Sequence, residues 1–129
     1  MNLEEITPLQ SYNILKNNKS SALIDVRTDM EISAYGIADL ASIDKESILL
    51  SWRNQPDMAI DSNFSAKLSS ILQDKFPNIP HEDIELLFIC SLGVRSREAA
   101  TLFAEEDSYK CYNIQEGFEG KADSDGSRS

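Results

Sequence analysis

The strongest constraint on the fold is an apolar run that ends at a cysteine and is followed, after a short turn, by a helical pattern. The run Leu86-Leu87-Phe88-Ile89-Cys90 predicts a buried strand, because it is short, continuous and bounded by small residues. Gly93 interrupts the pattern, and the Arg-Glu-Ala-Ala-Thr-Leu-Phe-Ala segment after Ser96 predicts a helix with Ser96 as its N-cap. Cys90 is therefore expected at a strand end, facing a helix N-terminus.

Other short apolar runs predict further strands, at residues 21–26, 47–52 and 110–114. None of these strands is joined to the next by a hairpin signal, so the connections are expected to be right-handed crossovers. We predict an α/β fold, with a mainly parallel central sheet of about five strands and helices on both faces.

Helix signals lie before and between these strands. Thr7-Pro8 fits an N-cap followed by a proline at the first helical position. A stronger helix is predicted after a cap at Asp61 or Ser62, because the apolar residues that follow recur on one helical face. A weaker pattern begins at Asp29, and residues 53–61 have the composition of a loop.

Length and charge limit the domain organisation and the partners. A chain of 129 residues is about one domain, predicted at residues 1–120, with a Ser-, Asp- and Gly-rich disordered tail at 121–129. The net charge of -10 argues against nucleic acid and an anionic membrane surface as partners. No apolar run approaches the roughly 20 residues of a membrane span, and the N-terminal sequence lacks a signal-peptide pattern, which predicts a cytoplasmic location.

The candidate chemistry lies where strands end. Ligands of open parallel sheets bind at the carboxyl ends of the strands, and Cys90, Asp25 and Arg27 all occupy such positions. Consecutive loop amides, the helix start and the charge of Arg95 all favour a thiolate at Cys90. A reactive thiol is therefore the sharper hypothesis. Asp25 and Arg27 either form a strand-end ion pair or support the Cys90 loop.

The remaining candidates have structural interpretations. His81, the only histidine, is expected to be solvated on a proline-flanked loop rather than to act as a base. Trp52 is expected to pack. Cys111, on a predicted buried strand, is expected in the core, with no disulfide to Cys90. No zinc-type spacing is present, and we predict no metal and no cofactor.

Several segments together resemble a known family. The residues Cys90-Ser91-Leu92-Gly93-Val94-Arg95-Ser96, with Asp25-Val26-Arg27 upstream and Gly117-Phe118 downstream, are similar to those of a single-domain rhodanese. The resemblance covers residues 7 to 120. It implies that Cys90 accepts a sulfane sulfur from a small anionic donor such as thiosulfate and passes it to a thiol or a cyanide-type acceptor. It also implies that the persulfide is held by the loop Ser91, Leu92, Gly93, Val94, Arg95 and Ser96, and that Asp25 and Arg27 organise this loop.

Two alternatives stay open. A cysteine phosphatase of the dual-specificity cell-cycle type has five residues between its cysteine and arginine, whereas four separate Cys90 from Arg95, so the spacing favours sulfur. A catalytically weak binding or regulatory module is the other alternative. Close relatives often hold an arginine directly after the cysteine, where this chain has Ser91, and they commonly continue into a further helix after Gly117-Phe118.

Overall fold

The computed structural model describes residues 3–54, 57–91, 93–106 and 109–115. The strands within these segments are β1 (Leu3–Ile6), β2 (Ser21–Asp25), β3 (Ile48–Leu49), β4 (Arg53–Asn54), β5 (Ala59–Ile60), β6 (Glu85–Ile89) and β7 (Lys110–Ile114). Five of them form one parallel sheet in the order β1-β7-β6-β2-β3. A separate antiparallel pair is formed by β4 and β5.

Four α-helices connect these strands. They are α1 (Pro8–Asn17), α2 (Asp29–Tyr35), α3 (Phe64–Lys75) and α4 (Val94–Glu106), with short 3-10 turns at Ala41–Ile43 and His81–Asp83. The predicted α/β architecture with a parallel sheet of five strands is confirmed.

Side chains that alternate between the two faces of the sheet divide the hydrophobic core into two layers. Leu86 and Phe88 of β6 pack with α3 and α4, whereas Leu87 and Ile89 of the same strand pack on the opposite face with Leu15 of α1. Successive strand residues point to opposite faces, so a fully apolar β6 is buried on both sides. This burial explains why β6 is a continuous apolar run.

Register brings the functional segments to one edge of the sheet. Asp25 of β2 lies opposite Ile89, the last residue of β6, and Asn113 of β7 lies opposite Phe88. On the other side of β7, Asn113 pairs with Glu5 of β1. The segments that follow β2, β6 and β7 therefore meet at the carboxyl edge, where parallel sheets bind ligands.

The first helix begins where the sequence predicts. The Thr7 hydroxyl accepts a hydrogen bond from the Gln10 N–H at 3.1 Å, and the Gln10 side chain accepts one from the Thr7 N–H at 2.9 Å. This reciprocal capping box satisfies two amide groups that a helix start would otherwise leave unpaired.

Helix starts differ from the prediction at two places. The helix α3 begins at Phe64, after Asn63, and Asp61 supports it by accepting hydrogen bonds from the Asn63 and Phe64 N–H groups. The helix α4 begins at Val94, so Ser96 as its N-cap was wrong. Ser96 lies in the first turn instead, because its hydroxyl has buried partners beneath the helix.

The strands differ from the prediction at three places. Strand β1 is not predicted, because its central Glu4 and Glu5 interrupt the apolar pattern. The predicted strand at 47–52 is reduced to the two residues of β3, and the predicted loop at 53–61 holds the antiparallel pair β4–β5. Trp52, between these elements, is 4% exposed and meets the Phe64 ring edge-on at 5.1 Å. Its predicted packing role is confirmed.

Among the helices of the described segments, none is both long and apolar enough to cross a bilayer. The predicted tail at 121–129 and the boundary at residue 120 lie outside the described residues.

Candidate active site

Cys90 directly follows β6 and lies at the bottom of a tight turn. Its side chain is 1% exposed. The Sγ atom accepts hydrogen bonds from the Gly93 N–H at 3.1 Å and from the Ser96 N–H at 3.3 Å. Two backbone donors at the start of α4 thus converge on one sulfur atom, which is an arrangement that stabilises negative charge.

Gly93 has a backbone conformation that the turn requires. Its φ is +90°, which side chains other than glycine rarely adopt. This conformation lets the chain reverse between β6 and α4 while the Gly93 N–H points at Sγ. Val94 follows as the first residue of α4 and is exposed, and Leu92 lies outside the described residues.

A second set of hydrogen bonds lies beneath Cys90. The Ser96 Oγ is 3.3 Å from Sγ and donates to Asn113 Oδ1 at 2.5 Å. The Asn113 Nδ2 donates to Glu5 Oε1 at 2.8 Å and to the Gly93 carbonyl at 3.1 Å. Ser96 and Asn113 are both 0% exposed. Cys90 is therefore connected through α4 to the two strands β7 and β1.

Arg95 forms an ion pair beside the loop that the sequence does not predict. Its Nη1 donates to Glu31 Oε1 at 2.6 Å, and its Nη2 donates to Glu31 Oε2 at 2.8 Å. These hydrogen bonds raise the pKa of Arg95 and hold the pKa of Glu31 well below its usual range, although desolvation opposes both shifts. The positive charge of Arg95 is therefore paired within the protein.

Glu31 also holds the residue after the cysteine. The Ser91 hydroxyl donates to Glu31 Oε2 at 2.7 Å, and the N–H and hydroxyl of Thr28 both donate to Oε1 at 3.1 Å. One carboxylate thus joins the start of α2 to both ends of the turn. The sequence predicts only a weak helical pattern from Asp29 and no role for Glu31. The Thr28-x-x-Glu31 capping box was the available local signal for its orientation.

Asp25 and Arg27 form a buried ion pair at 2.9 Å, with side chains 0% and 1% exposed. The Arg27 Nη2 also donates to the Gly36 carbonyl at 2.5 Å. Gly36, with φ +77°, closes α2. The predicted ion pair is therefore present. The pair contacts the end of α2, and Glu31 of α2 contacts the loop. Support of the Cys90 loop by Asp25 and Arg27 would thus be indirect, and it stays a prediction.

His81 and Cys111 lie away from this loop. His81 lies before β6, at the end of the sheet opposite to Cys90. Its ring stacks on the Tyr109 ring, with 4.1 Å between the centroids. It is half-buried rather than solvated as predicted, because Tyr109 covers one face of the ring. The Cys111 thiol is fully buried in the layer that faces α4 and donates to the Tyr109 carbonyl at 3.8 Å, so its predicted place in the core is confirmed.

Comparisons with known proteins agree with this architecture. A family model described as Rhodanese-like domain matches residues 7–123. An uncharacterized protein of Rickettsia prowazekii is 32% identical over 120 residues, which cover 93% of this chain and 87% of that protein. A Rickettsia conorii protein, also uncharacterized, is 33% identical over the same shares of both chains.

Solved structures give the same fold. The crystal structure of Rv0390 from M. tuberculosis matches with a TM-score of 0.78 and 34% identity, covering 97% of this chain and 86% of that one. A rhodanese-like domain protein from Staphylococcus aureus matches with a TM-score of 0.54 and 19% identity over 88% of this chain and 86% of that one, which speaks for the fold alone. On the family match and these relatives, the chain belongs to the rhodanese-like domain family.

Proposed function

We propose that the protein is a sulfurtransferase that carries a sulfane sulfur on Cys90 as a persulfide. The observation that carries this proposal is the pair of backbone N–H groups, from Gly93 and Ser96, that converge on the Cys90 Sγ. A reacting thiolate and a persulfide are both sulfur anions, and both need donors at this position.

The first half-reaction charges the cysteine. The Cys90 thiolate attacks the outer sulfur of a donor, and a new S–S bond forms as the donor's own bond to that sulfur breaks. The bonding electron pair leaves with the rest of the donor, for example as sulfite from thiosulfate. The product is a Cys90 persulfide, and no outside oxidant or reductant is needed.

The second half-reaction returns the thiolate. An acceptor nucleophile attacks the outer sulfur, and the bond from that sulfur to Sγ breaks with its electron pair on Sγ. A thiol acceptor becomes a persulfide, and cyanide becomes thiocyanate. The donors at Sγ stabilise the anion that leaves in this step.

The charges around the loop bear on which donor is used. Glu31 neutralises Arg95, and Ser91 occupies the position next to the cysteine without adding a charge. Thiosulfate carries two negative charges and would approach a protein of net charge -10. We therefore propose that a persulfide with less charge at its reacting end is a better donor than thiosulfate.

The ion pair between Glu31 and Arg95 also favours a second candidate function, a catalytically weak binding or regulatory module. In that case the turn around Cys90 would be a structural remnant of a sulfur site. The two candidates differ in whether Cys90 turns over, so they are separated by a catalytic assay.

A thiocyanate assay tests the proposal. The protein is mixed with cyanide and either thiosulfate or an organic persulfide, and the rate above the uncatalysed background is compared with that of Cys90→Ser. Cys111→Ser is the matched control, because Cys111 is the second of the chain's two cysteines and lies in the core. Activity lost only in Cys90→Ser supports the proposal, and no activity with either donor favours the binding module. Cys90-dependent hydrolysis of an aryl phosphate would instead indicate a phosphatase.

A further inference from the structure

The side-chain amide of Asn113 has a fixed orientation. Its Nδ2 donates one hydrogen bond to the Glu5 carboxylate at 2.8 Å and the other to the Gly93 carbonyl at 3.1 Å. A flipped amide would turn its oxygen towards these two acceptors and lose both bonds. Glu5 is itself held by Arg97, whose Nε donates to it at 2.8 Å. The Asn113 Oδ1 must therefore face Ser96.

This orientation fixes the Ser96 hydroxyl. Since Oδ1 is an acceptor only, the hydroxyl proton of Ser96 is directed at Asn113. The lone pairs of the Ser96 oxygen then face the Cys90 Sγ at 3.3 Å. That geometry suits a protonated thiol, which donates its S–H to Ser96. It does not suit a thiolate, which has no proton to donate.

We propose that Asn113 is a positioning residue that, through Ser96, favours the thiol form of resting Cys90 and opposes its conversion to the thiolate. The proposal rests on the proposed role of Cys90 as a nucleophile. When the thiol loses its proton to solvent, the Ser96 hydroxyl turns from Asn113 Oδ1 to Sγ and becomes a third donor to the anion. The bonds of Asn113 to Glu5 and Gly93 stay in place. Formation of the thiolate therefore breaks the buried hydrogen bond from Ser96 to Asn113.

Other charged groups around Cys90 are unchanged by this rotation. They come from the elements packed around the loop, namely Arg95 and Arg97 of α4, Glu31 of α2, Asp25 at the end of β2, Arg27 after it, and Glu5 of β1. Variants at Asn113 and Ser96 leave all of them present. A change in Cys90 reactivity in such variants therefore reports on the hydroxyl.

Alkylation by iodoacetamide, a neutral reagent, tests this proposal without any sulfur donor. Cys90 labelling is followed by peptide mass spectrometry in wild type and in Asn113→Ala. The variant releases the Ser96 hydroxyl, so Cys90 should be labelled about three- to tenfold faster at neutral pH, as expected for one hydrogen bond. The two rates should converge at alkaline pH, where Cys90 is a thiolate in both. Because no donor is involved, a failure here is distinct from a failure to transfer sulfur.

Control variants distinguish the effect of the Ser96 hydroxyl on Cys90 from a general loosening of the loop. In a Ser96→Ala background, Asn113→Ala should change the neutral-pH rate by less than twofold, because no hydroxyl remains to turn. If Asn113→Ala does not fold, Asn113→Ser, whose shorter side chain also lacks an acceptor at the position of Oδ1, should give a similar acceleration, and it likewise keeps every charged group in place. No acceleration or slower labelling in the Asn113 variants, equal acceleration at all pH values, or acceleration that persists without Ser96 would overturn the proposal.

Discussion

Glu31 and Arg95, far apart in the chain, form a two-pronged ion pair with N–O distances of 2.6 and 2.8 Å at the rim of the Cys90 turn. The pair is mostly shielded, with side chains 23% and 18% exposed. It ties the first turn of α2 to the first turn of α4. The loop is thus held by a charge pair, and the Gly93 and Ser96 N–H groups are the backbone donors that face the Cys90 Sγ.

Replacing Glu31 by glutamine should destabilise the protein. Glu31→Gln keeps the shape of the side chain but weakens the hydrogen bonds from Arg95, Ser91 and Thr28. We expect a loss of about 1–3 kcal/mol in the free energy of unfolding, as for hydrogen bonds to a partly buried charge. Urea unfolding of the two proteins measures it. The more exposed Glu98, paired with Arg53, provides a matched control, and Glu98→Gln should cost less than 1 kcal/mol.

The difference between wild type and Glu31→Gln should depend on pH. The pKa of Glu31 in the folded protein is lowered from 4.5, chiefly by the Arg95 hydrogen bonds. Its contribution is therefore fully present above pH 4.5 and is lost as the pH falls from there towards the lower folded-state pKa. The free energies of unfolding of wild type and Glu31→Gln, measured at several pH values, should converge only at acidic pH. A constant difference down to strong acid would contradict this assignment.

The buried pair of Asp25 and Arg27 should be sensitive to the loss of one partner. In Asp25→Asn the Arg27 charge stays buried without its carboxylate, for which we expect a loss of about 3–5 kcal/mol. Glu4→Gln, at the exposed pair with Lys110, should change stability by less than 1 kcal/mol. Thermal or urea unfolding measures both. Similar losses in the two variants would show that the buried pair contributes no more to stability than an exposed one.

A charge introduced next to the cysteine should change donor preference. Ser91→Arg places a second cation beside the turn, which should raise kcat/KM for thiosulfate by about tenfold over wild type, because the donor carries two negative charges. The value for an uncharged organic donor should change less. Ser91→Gln has a similar length without the charge and loses the same hydroxyl bond to Glu31. Equal effects of the two substitutions would show that charge does not limit thiosulfate use.

Local patterns in the sequence predict the sheet and the position of Cys90. A continuous apolar run such as Leu86–Ile89 requires burial on both faces, and the break at Gly93 marks the turn to α4. These signals involve neighbouring residues only. They were sufficient for the fold class and for placing the cysteine at the carboxyl edge.

The partners of the turn lie beyond local patterns. Arg95 meets Glu31 across 64 residues, and Asn113 meets Glu5 across 108 residues. No spacing rule connects such pairs, because the sheet order alone brings them together. The same contacts explain why Ser96 was wrongly predicted as the N-cap of α4. Serine is a common N-cap residue, but the Ser96 hydroxyl donates to Asn113 instead of capping the helix. Strand β1 was missed because two of its four residues are charged and lie at the sheet edge.

The most direct test of the account is the intact mass of the protein after incubation with a sulfur donor. Wild type treated with an organic persulfide, followed by removal of excess donor, should gain one sulfur atom and lose it on addition of cyanide or a thiol. Cys111→Ser should behave like wild type, and Cys90→Ser should gain nothing. No added sulfur from an organic persulfide or from thiosulfate, or an adduct that persists in Cys90→Ser, would contradict sulfur transfer at Cys90.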